Sequence, residues 1–154
     1  MQRQVRELLA KNKNIAAPEV KVGATVGEAL MRLDFYKTGA LMVMESGRVV
    51  GILSERDFAR ASVRAGWNLQ LDSKVEQIMA TQVACVTEDA KIEECMAVMS
   101  KLKVRHLPVL RDGYPIALLS MRHLVEAMVE DKDFQIAELT KYVTGSNFVD
   151  QKTG

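Results

Sequence analysis

Two stretches of the chain place apolar residues on one face of a helix, at positions i, i+3, i+4 and i+7. They are Val26, Ala29, Leu30 and Leu33 in the first stretch and Ile92, Cys95, Met96 and Met99 in the second. This spacing is typical of an amphipathic helix with one buried side. Thr25 and Glu28 have the pattern of a capping box at the start of the first helix, and Asp89 is the expected cap of the second.

Each predicted helix is followed by two short apolar runs with a polar, glycine-containing break between them. The runs are residues 39–44 and 49–53, and then 106–110 and 115–119. Runs of this length around such a break predict a β-hairpin in each half of the chain. A further helix is expected to begin at Ser54 and to end at about Gly66, and its counterpart to run from Ser120 to about Asp131.

The two halves are copies of one unit, because one constant shift along the chain pairs residues 20–63 with 86–129 without a gap. Extended lead-ins at 19–22 and 83–86 complete each copy. The predicted fold class is therefore α+β, with two β-α-β-β-α repeats packed sheet to sheet about a pseudo-twofold axis. The predicted divisions are residues 1–18 (N-terminal helix and lead-in), 19–66 (first repeat), 67–82 (connection), 83–131 (second repeat) and 132–154 (C-terminal helix and tail).

Composition restricts the class of partner. Basic and acidic residues number 21 and 20, so the formal net charge of +1 offers no broad field for a nucleic acid or an anionic membrane. No apolar run is long enough to span a membrane, and the N-terminus lacks the apolar stretch of a signal peptide. The sequence thus predicts a soluble, cytoplasmic protein whose two cysteines, Cys85 and Cys95, are buried, reduced thiols.

The run from Gly51 to Asp57, GILSERD, joins the end of a predicted strand to the start of a helix. Backbone N–H groups at a helix N-terminus attract anions, and a Ser hydroxyl with an Asp carboxylate there can bind a hydroxyl-rich or phosphorylated ligand. An alternative is that Ser54 and Asp57 form a capping box that only satisfies the helix. The second repeat keeps the serine but has Ala117 and His123 in place of Gly51 and Asp57. This difference indicates that one of two equivalent sites is the better ligand site.

The doubled pattern resembles a pair of cystathionine-β-synthase (CBS) domains over about Glu19 to Glu130. GILSERD is similar to that family's Gly-x-x-Ser/Thr-x-x-Asp nucleotide motif, and the run RHLPV, beginning at Arg105, resembles its second-strand signature. The resemblance implies a stand-alone bacterial or archaeal protein with no catalytic activity and no required cofactor. It also implies that AMP, ADP, ATP, NAD(H) or an S-adenosyl compound binds between the repeats, and that two chains form a homodimer.

The same resemblance implies roles for individual residues of the better site. From the first repeat, Asp57 would bind the ribose hydroxyls, with Ser54 near the sugar and phosphate and Ile52 against the base, while Arg56 belongs to the same motif. The second repeat would contribute Val83, Cys85 and Thr87 next to the adenine, and Arg105 and His106 next to the phosphates. A second, weaker site would use Ser120, His123, Lys21, Lys37 and Thr38.

Other functions have less support in the sequence. His106 and His123 are the only histidines and have no acidic or thiol partner at ligand spacing, so no metal site is expected. Arg56, Arg60 and Arg64 follow one helix face but alternate with acidic residues, which is typical of a solvated surface rather than of a nucleic-acid site. Catalytic motifs are absent. The main alternative function is a ligand-free dimerisation or protein-interaction scaffold, with an unidentified downstream partner.

Overall fold

The computed structural model describes residues 2–142 and forms the predicted β-α-β-β-α order twice. After α1 (Val5–Lys11), the first repeat consists of β1 (Glu19–Lys21), α2 (Val26–Tyr36), β2 (Ala40–Glu45), β3 (Arg48–Ser54) and α3 (Glu55–Arg64). After a single 3-10 turn at Val75–Gln77, the second consists of β4 (Val86–Thr87), α4 (Ile92–Leu102), β5 (His106–Arg111), β6 (Tyr114–Ser120) and α5 (Met121–Tyr142). The chain divides into two compact units between Met121 and Arg122. Within residues 2–142 no helix has the length and apolar character to cross a membrane.

The two repeats build the same three-stranded sheet, in the orders β1-β2-β3 and β4-β5-β6. In each sheet the short first strand is parallel to the second, and the second is antiparallel to the third. Each hairpin also contains one irregularity in register, between Val43 and Met44 in the first and between Val109 and Leu110 in the second. These two positions are equivalent in the two copies, so the two repeats share even this local distortion of the backbone.

Strand β2 is buried on both faces from Ala40 to Met44 because each face of its sheet has a different neighbour. Successive side chains point to opposite faces of a strand. On one face, Leu41 and Val43 pack with Ala29 and Leu33 of α2 and with other apolar residues. On the other face, Ala40, Met42 and Met44 pack with Leu118 of β6. The two sheets therefore face each other, and a flexible Met side chain fills the space between them.

The segment before each repeat pairs with the other repeat. In the N-terminal segment, Val5 N–H donates to Ala90 O at 2.9 Å and Arg3 O accepts from Ile92 N–H at 3.0 Å, at the start of α4. In the connection between the repeats, Ser73 O accepts from Val26 N–H at 2.8 Å, at the start of α2. Each segment contributes one fully buried valine, Val5 or Val75. The N-terminal segment therefore pairs with the second repeat, and the connection pairs with the first.

The predicted cap of α4 at Asp89 is wrong. Helix α4 begins later, with Lys91 as its N-cap residue, and the Lys91 N–H donates to the Glu94 carboxylate at 2.9 Å. Asp89 instead forms an ion pair with Arg6 of the N-terminal segment. At the start of α2 the capping box of Thr25 and Glu28 is confirmed.

The predicted helix ends and thiol environments are partly right. Gly66, with φ of +60°, follows the last turn of α3 as predicted. The predicted end near Asp131 is wrong, since α5 continues to Tyr142 through a stretch without glycine or proline. The helix predicted to start at Lys132 is part of α5, and the tail from residue 143 lies outside the described residues. Cys95 is buried as predicted, but Cys85 is exposed.

Candidate functional site

The start of α3 is held by Ser54 and Asp57, both half-buried. The Asp57 N–H donates to Ser54 Oγ at 3.2 Å, and the Ser54 N–H donates to Asp57 Oδ2 at 2.9 Å. The Ser54 hydroxyl lies 2.8 Å from the same Oδ2 and donates to it. The capping box that the sequence left as an alternative is therefore formed. It uses one carboxylate oxygen only, because within residues 2–142 the other, Oδ1, accepts no hydrogen bond.

Helix α3 also leaves a backbone donor at its first turn. The Glu55 N–H donates to Gly39 O at 3.0 Å, and the Asp57 N–H is used by the cap. In the described part of the chain, the Arg56 N–H between them has no acceptor. A free N–H at the positive end of a helix favours an oxygen acceptor or an anion. Asp57 Oδ1 and the Arg56 N–H thus offer an acceptor and a donor in the same helix turn.

The connection between the repeats joins this region at Ile52. Ile52 and Ala80 exchange two backbone hydrogen bonds, of 3.0 and 2.8 Å, in an antiparallel bridge. The chain then continues through half-buried Val83 and exposed Cys85 into β4 of the other sheet, where Thr87 is exposed. The structure therefore brings Ala80, near the end of the connection, beside Ile52. Val83, Cys85 and Thr87 make no hydrogen bond with the Ser54 and Asp57 side chains among the described residues.

Gly51 has a packing role that the sequence did not reveal. A Cβ atom at this position would lie 2.5 Å from Met79 Sδ and 3.1 Å from Ala80 O. The difference between Gly51 and Ala117, interpreted from the sequence as a mark of the better ligand site, therefore has a packing cause. The connection passes so close to β3 that a side chain at Gly51 would displace it. The contact of Gly51 with Met79 and Ala80 could not be predicted from the sequence, because it is a tertiary contact without a local motif.

His106 of the second repeat lies near the start of α3 in the first. Its ring atoms Cε1 and Nε2 are 3.5 and 3.7 Å from the position of a Cβ on Gly39, and Glu55 Oε2 is 3.9 Å from the same point. Glu55 is the first residue of α3. The structure thus brings a titratable ring from one repeat to the helix start of the other. Arg105, at the preceding position, is exposed, and its carbonyl accepts from Met121 N–H at 2.8 Å.

The residues predicted for the second site are distributed along the repeats. Lys37 has a left-handed backbone with φ of +52° and lies 3.4 Å from an Asp34 carboxylate oxygen, while the Thr38 hydroxyl donates to Ala40 O at 3.3 Å. Ser120 is half-buried at the end of β6. Lys21 lines an open groove of about 510 Å³ beside β1, together with Glu19, Val20, Gly23, Ala24, Glu28 and Arg32.

His123 stands in the second repeat where the first has Asp57. It is half-buried in α5, and this burial lowers the pKa of its imidazole. A neutral imidazole has one acceptor nitrogen with a single lone pair, whereas each carboxylate oxygen has two acceptor sites, so Asp57 Oδ1 alone can accept from two hydroxyls. Position 123 therefore cannot accept two hydroxyl donors in the way that Asp57 can.

The protein-family model for the CBS domain matches residues 5–64 and 75–130 of this chain. The chain belongs to the CBS-domain family. A 17.7 kDa protein of Acidianus ambivalens is 33% identical over 132 residues, which cover 84% of this chain and 78% of that protein. A solved CBS-domain protein of Agrobacterium tumefaciens is 28% identical, with a TM-score of 0.76 over 82% of this chain and 99% of that one. The resemblance inferred from the doubled motif and the predicted CBS-pair fold are both confirmed.

More distant structures with this fold are complexes with adenosine compounds. CBSX2 was solved with AMP and is 23% identical, with a TM-score of 0.67 over 84% of this chain and 98% of that one. The CBS domain pair of protein MJ0100 was solved with 5'-methylthioadenosine and S-adenosyl-L-methionine and is 18% identical, with a TM-score of 0.71 over 85% of this chain and 99% of that one. At these identities the likeness extends to the fold alone.

Proposed function

We propose that this chain is a non-catalytic regulatory module that binds an adenine nucleotide between its two CBS repeats. The observation that carries the proposal is the Asp57 carboxylate, which caps α3 through Oδ2 and keeps Oδ1 for a ligand. The adenosine compounds bound by CBSX2 and by MJ0100 support the ligand class by analogy of fold. Within that class AMP, ADP, ATP and NAD(H) are the candidates, and the cytoplasm is the proposed location.

In the proposed complex, Asp57 Oδ1 accepts the ribose hydroxyls and the Arg56 N–H donates to an oxygen of the ligand. Ile52 and the lead-in residues Val83 and Cys85 pack against the adenine. His106 lies near the α3 start and interacts with the phosphates. Hydrogen bonds to a charged group contribute about 1.5–3 kcal/mol each, so Asp57 supplies a large part of the affinity.

The two halves of the module are proposed to differ in occupancy. The site built on Asp57 binds the ligand, whereas the site that contains His123 lacks the carboxylate. One nucleotide per chain is the expected stoichiometry. The ligand would bridge the repeats, so its binding energy depends on their relative position and can be transmitted to a downstream protein.

A thermal-shift series tests the proposal. A ligand that binds only the native state raises its melting temperature, by an amount that increases with ligand concentration. We expect a rise with AMP or another adenine compound in the wild type and a much smaller one in Asp57→Asn, where the amide can still accept the bond from Ser54 N–H. Glu28→Gln is the matched control, because Glu28 closes the equivalent capping box of α2 with a 3.0 Å bond. If Asp57→Asn and Glu28→Gln respond alike, the proposed role of Asp57 is wrong.

An interaction scaffold is the second candidate, favoured by exposed apolar side chains on the first repeat. Met31 and Phe35, one turn apart on α2, are 74% and 79% exposed. The equivalent positions of α4 are Ala97 and Lys101, so the fold itself does not require large apolar groups there. A homodimer formed through this face would bury them. Sedimentation of the wild type and of Met31→Glu with Phe35→Glu tests it: a dimer that the double variant dissociates supports the candidate, and a monomeric wild type contradicts it.

A further inference from the structure

The two hairpin turns of the molecule lie against each other. The turn of the first hairpin contains Ser46 and Gly47, with φ of +50° and +76°, and that of the second contains Asp112 and Gly113, with φ of +52° and +82°. Two successive left-handed residues define a tight type I′ turn. The two turns occupy the same place in the two copies of the unit, so the contact between them joins equivalent parts of the two repeats.

One cation and one aromatic ring make this contact. Arg48 Nη1 donates to Gly113 O at 3.0 Å, and the guanidinium carbon of Arg48 lies 4.4 Å from the centre of the Tyr114 ring. That distance is within the range of a cation–π interaction. Arg48 and Tyr114 occupy equivalent positions in the two repeats, each directly after its turn glycine.

The turn glycines leave room for both side chains. A Cβ on Gly113 would lie 2.3 Å from Arg48 Nη1, and a Cβ on Gly47 would lie 3.3 Å from the Tyr114 ring. Each long side chain therefore lies over the glycine of the opposite turn. Gly47 and Gly113 serve two needs at once, a left-handed backbone and clearance for the neighbouring hairpin.

We propose that Gly47, Arg48, Gly113 and Tyr114 form a clamp that fixes the angle between the two repeats. Strands β3 and β6 begin at this clamp and end at the starts of α3 and α5. Seven residues of strand extend about 20 Å, so a rotation of about 5° at the clamp moves the far ends of the strands by about 2 Å. The clamp thus controls the geometry at the α3 start from the opposite end of the hairpins. Its link to ligand affinity rests on the proposed function, whereas its link to stability does not.

A double-mutant cycle tests the clamp without a ligand. Arg48→Ala, Tyr114→Ala and the double variant are compared by urea unfolding. An exposed cation–π pair changes the unfolding equilibrium constant by roughly two- to fivefold beyond the sum of the single effects. The exchange variant, Arg48→Tyr with Tyr114→Arg, uses the pseudo-twofold relation, since each side chain then lies over the other glycine. We expect it to recover most of the coupling. Additive single variants, or an exchange variant no more stable than the double alanine variant, overturn the clamp.

The affinity for AMP tests the effect at a distance. Arg48→Ala removes no predicted ligand contact, yet a loosened clamp should weaken AMP binding several-fold. Arg111→Ala is the matched control, because Arg111 ends β5 near the same hairpin turn but bonds Glu88 of its own repeat, at 2.9 and 2.6 Å. Equal affinity in Arg48→Ala and Arg111→Ala overturns control of the site by the clamp. If the wild type binds none of AMP, ADP, ATP and NAD(H), the proposed function fails instead, and the double-mutant cycle alone decides whether the clamp exists.

Discussion

Replacing Gly51 by alanine separates a packing role of this residue from a ligand role. The Gly51 backbone is outside the left-handed region, so alanine without a clash would stabilise the chain by about 0.4–1 kcal/mol. The new Cβ, however, would lie 2.5 Å from Met79 Sδ, 3.0 Å from Met79 Cγ and 3.1 Å from Ala80 O. Overpacking of this kind costs about 1–3 kcal/mol. The net expectation is a loss of about 1–2 kcal/mol.

Urea unfolding followed by circular dichroism measures this loss without any ligand. In the background of Met79→Ala, which removes the sulfur and Cγ, Gly51→Ala should be close to neutral. The comparison of the two backgrounds isolates the clash, because any effect on the unfolded chain is the same in both. A Gly51→Ala variant as stable as the wild type would refute the packing argument. The difference between Gly51 and Ala117 would then again indicate which of the two sites binds the ligand better.

Three further results are expected. Leu8→Ala should cost about 2–5 kcal/mol in urea unfolding, because Leu8 is fully buried, and half-buried Leu9→Ala should cost less; equal losses would contradict the burial argument. Since burial lowers the pKa of His123 from its ordinary 6.5, the unfolded chain takes up a proton first as the pH falls. Wild-type stability should therefore decline below about pH 6.5, and His123→Gln should flatten that decline; an unchanged slope would count against it. A disulfide reagent should label exposed Cys85 in the native protein but Cys95, whose pKa burial raises to about 11, only after unfolding; fast labelling in Cys85→Ser would contradict this.

Features encoded by nearby residues were predictable from the sequence. The capping box of Thr25 and Glu28 and the stop at Gly66 depend on residues within one or two turns of a helix. The hairpins depend on short apolar runs around a glycine turn. The repeat supplied independent support, because each pattern occurs twice at the same offset. Local chemistry and duplication together therefore predicted the fold class.

Features that depend on distant contacts were not predictable. Asp89 has the chemistry of a cap, but the N-terminal segment pairs with this region and Arg6 binds its carboxylate. Cys85 has apolar neighbours in sequence but lies exposed just before β4. The outcome at Asp89 is set by a segment that is far away along the chain.

The candidate site shows the same division. The Ser54 and Asp57 motif was visible in the sequence, as was its second possible role as a cap. That the cap leaves Oδ1 of Asp57 available depends on the geometry of one helix turn. The approach of His106 to Gly39 depends on the packing of two repeats. A sequence motif identifies the groups, and only the packing shows which groups meet.

Calorimetric titration of AMP is the most direct test of whether Asp57 binds a nucleotide. We predict one ligand per wild-type chain and binding roughly ten- to a hundredfold weaker in Asp57→Asn, since one charge-assisted bond is lost. Glu28→Gln, which alters the equivalent cap of α2, should keep the wild-type affinity. Equal affinity in the wild type and in Asp57→Asn would contradict the account.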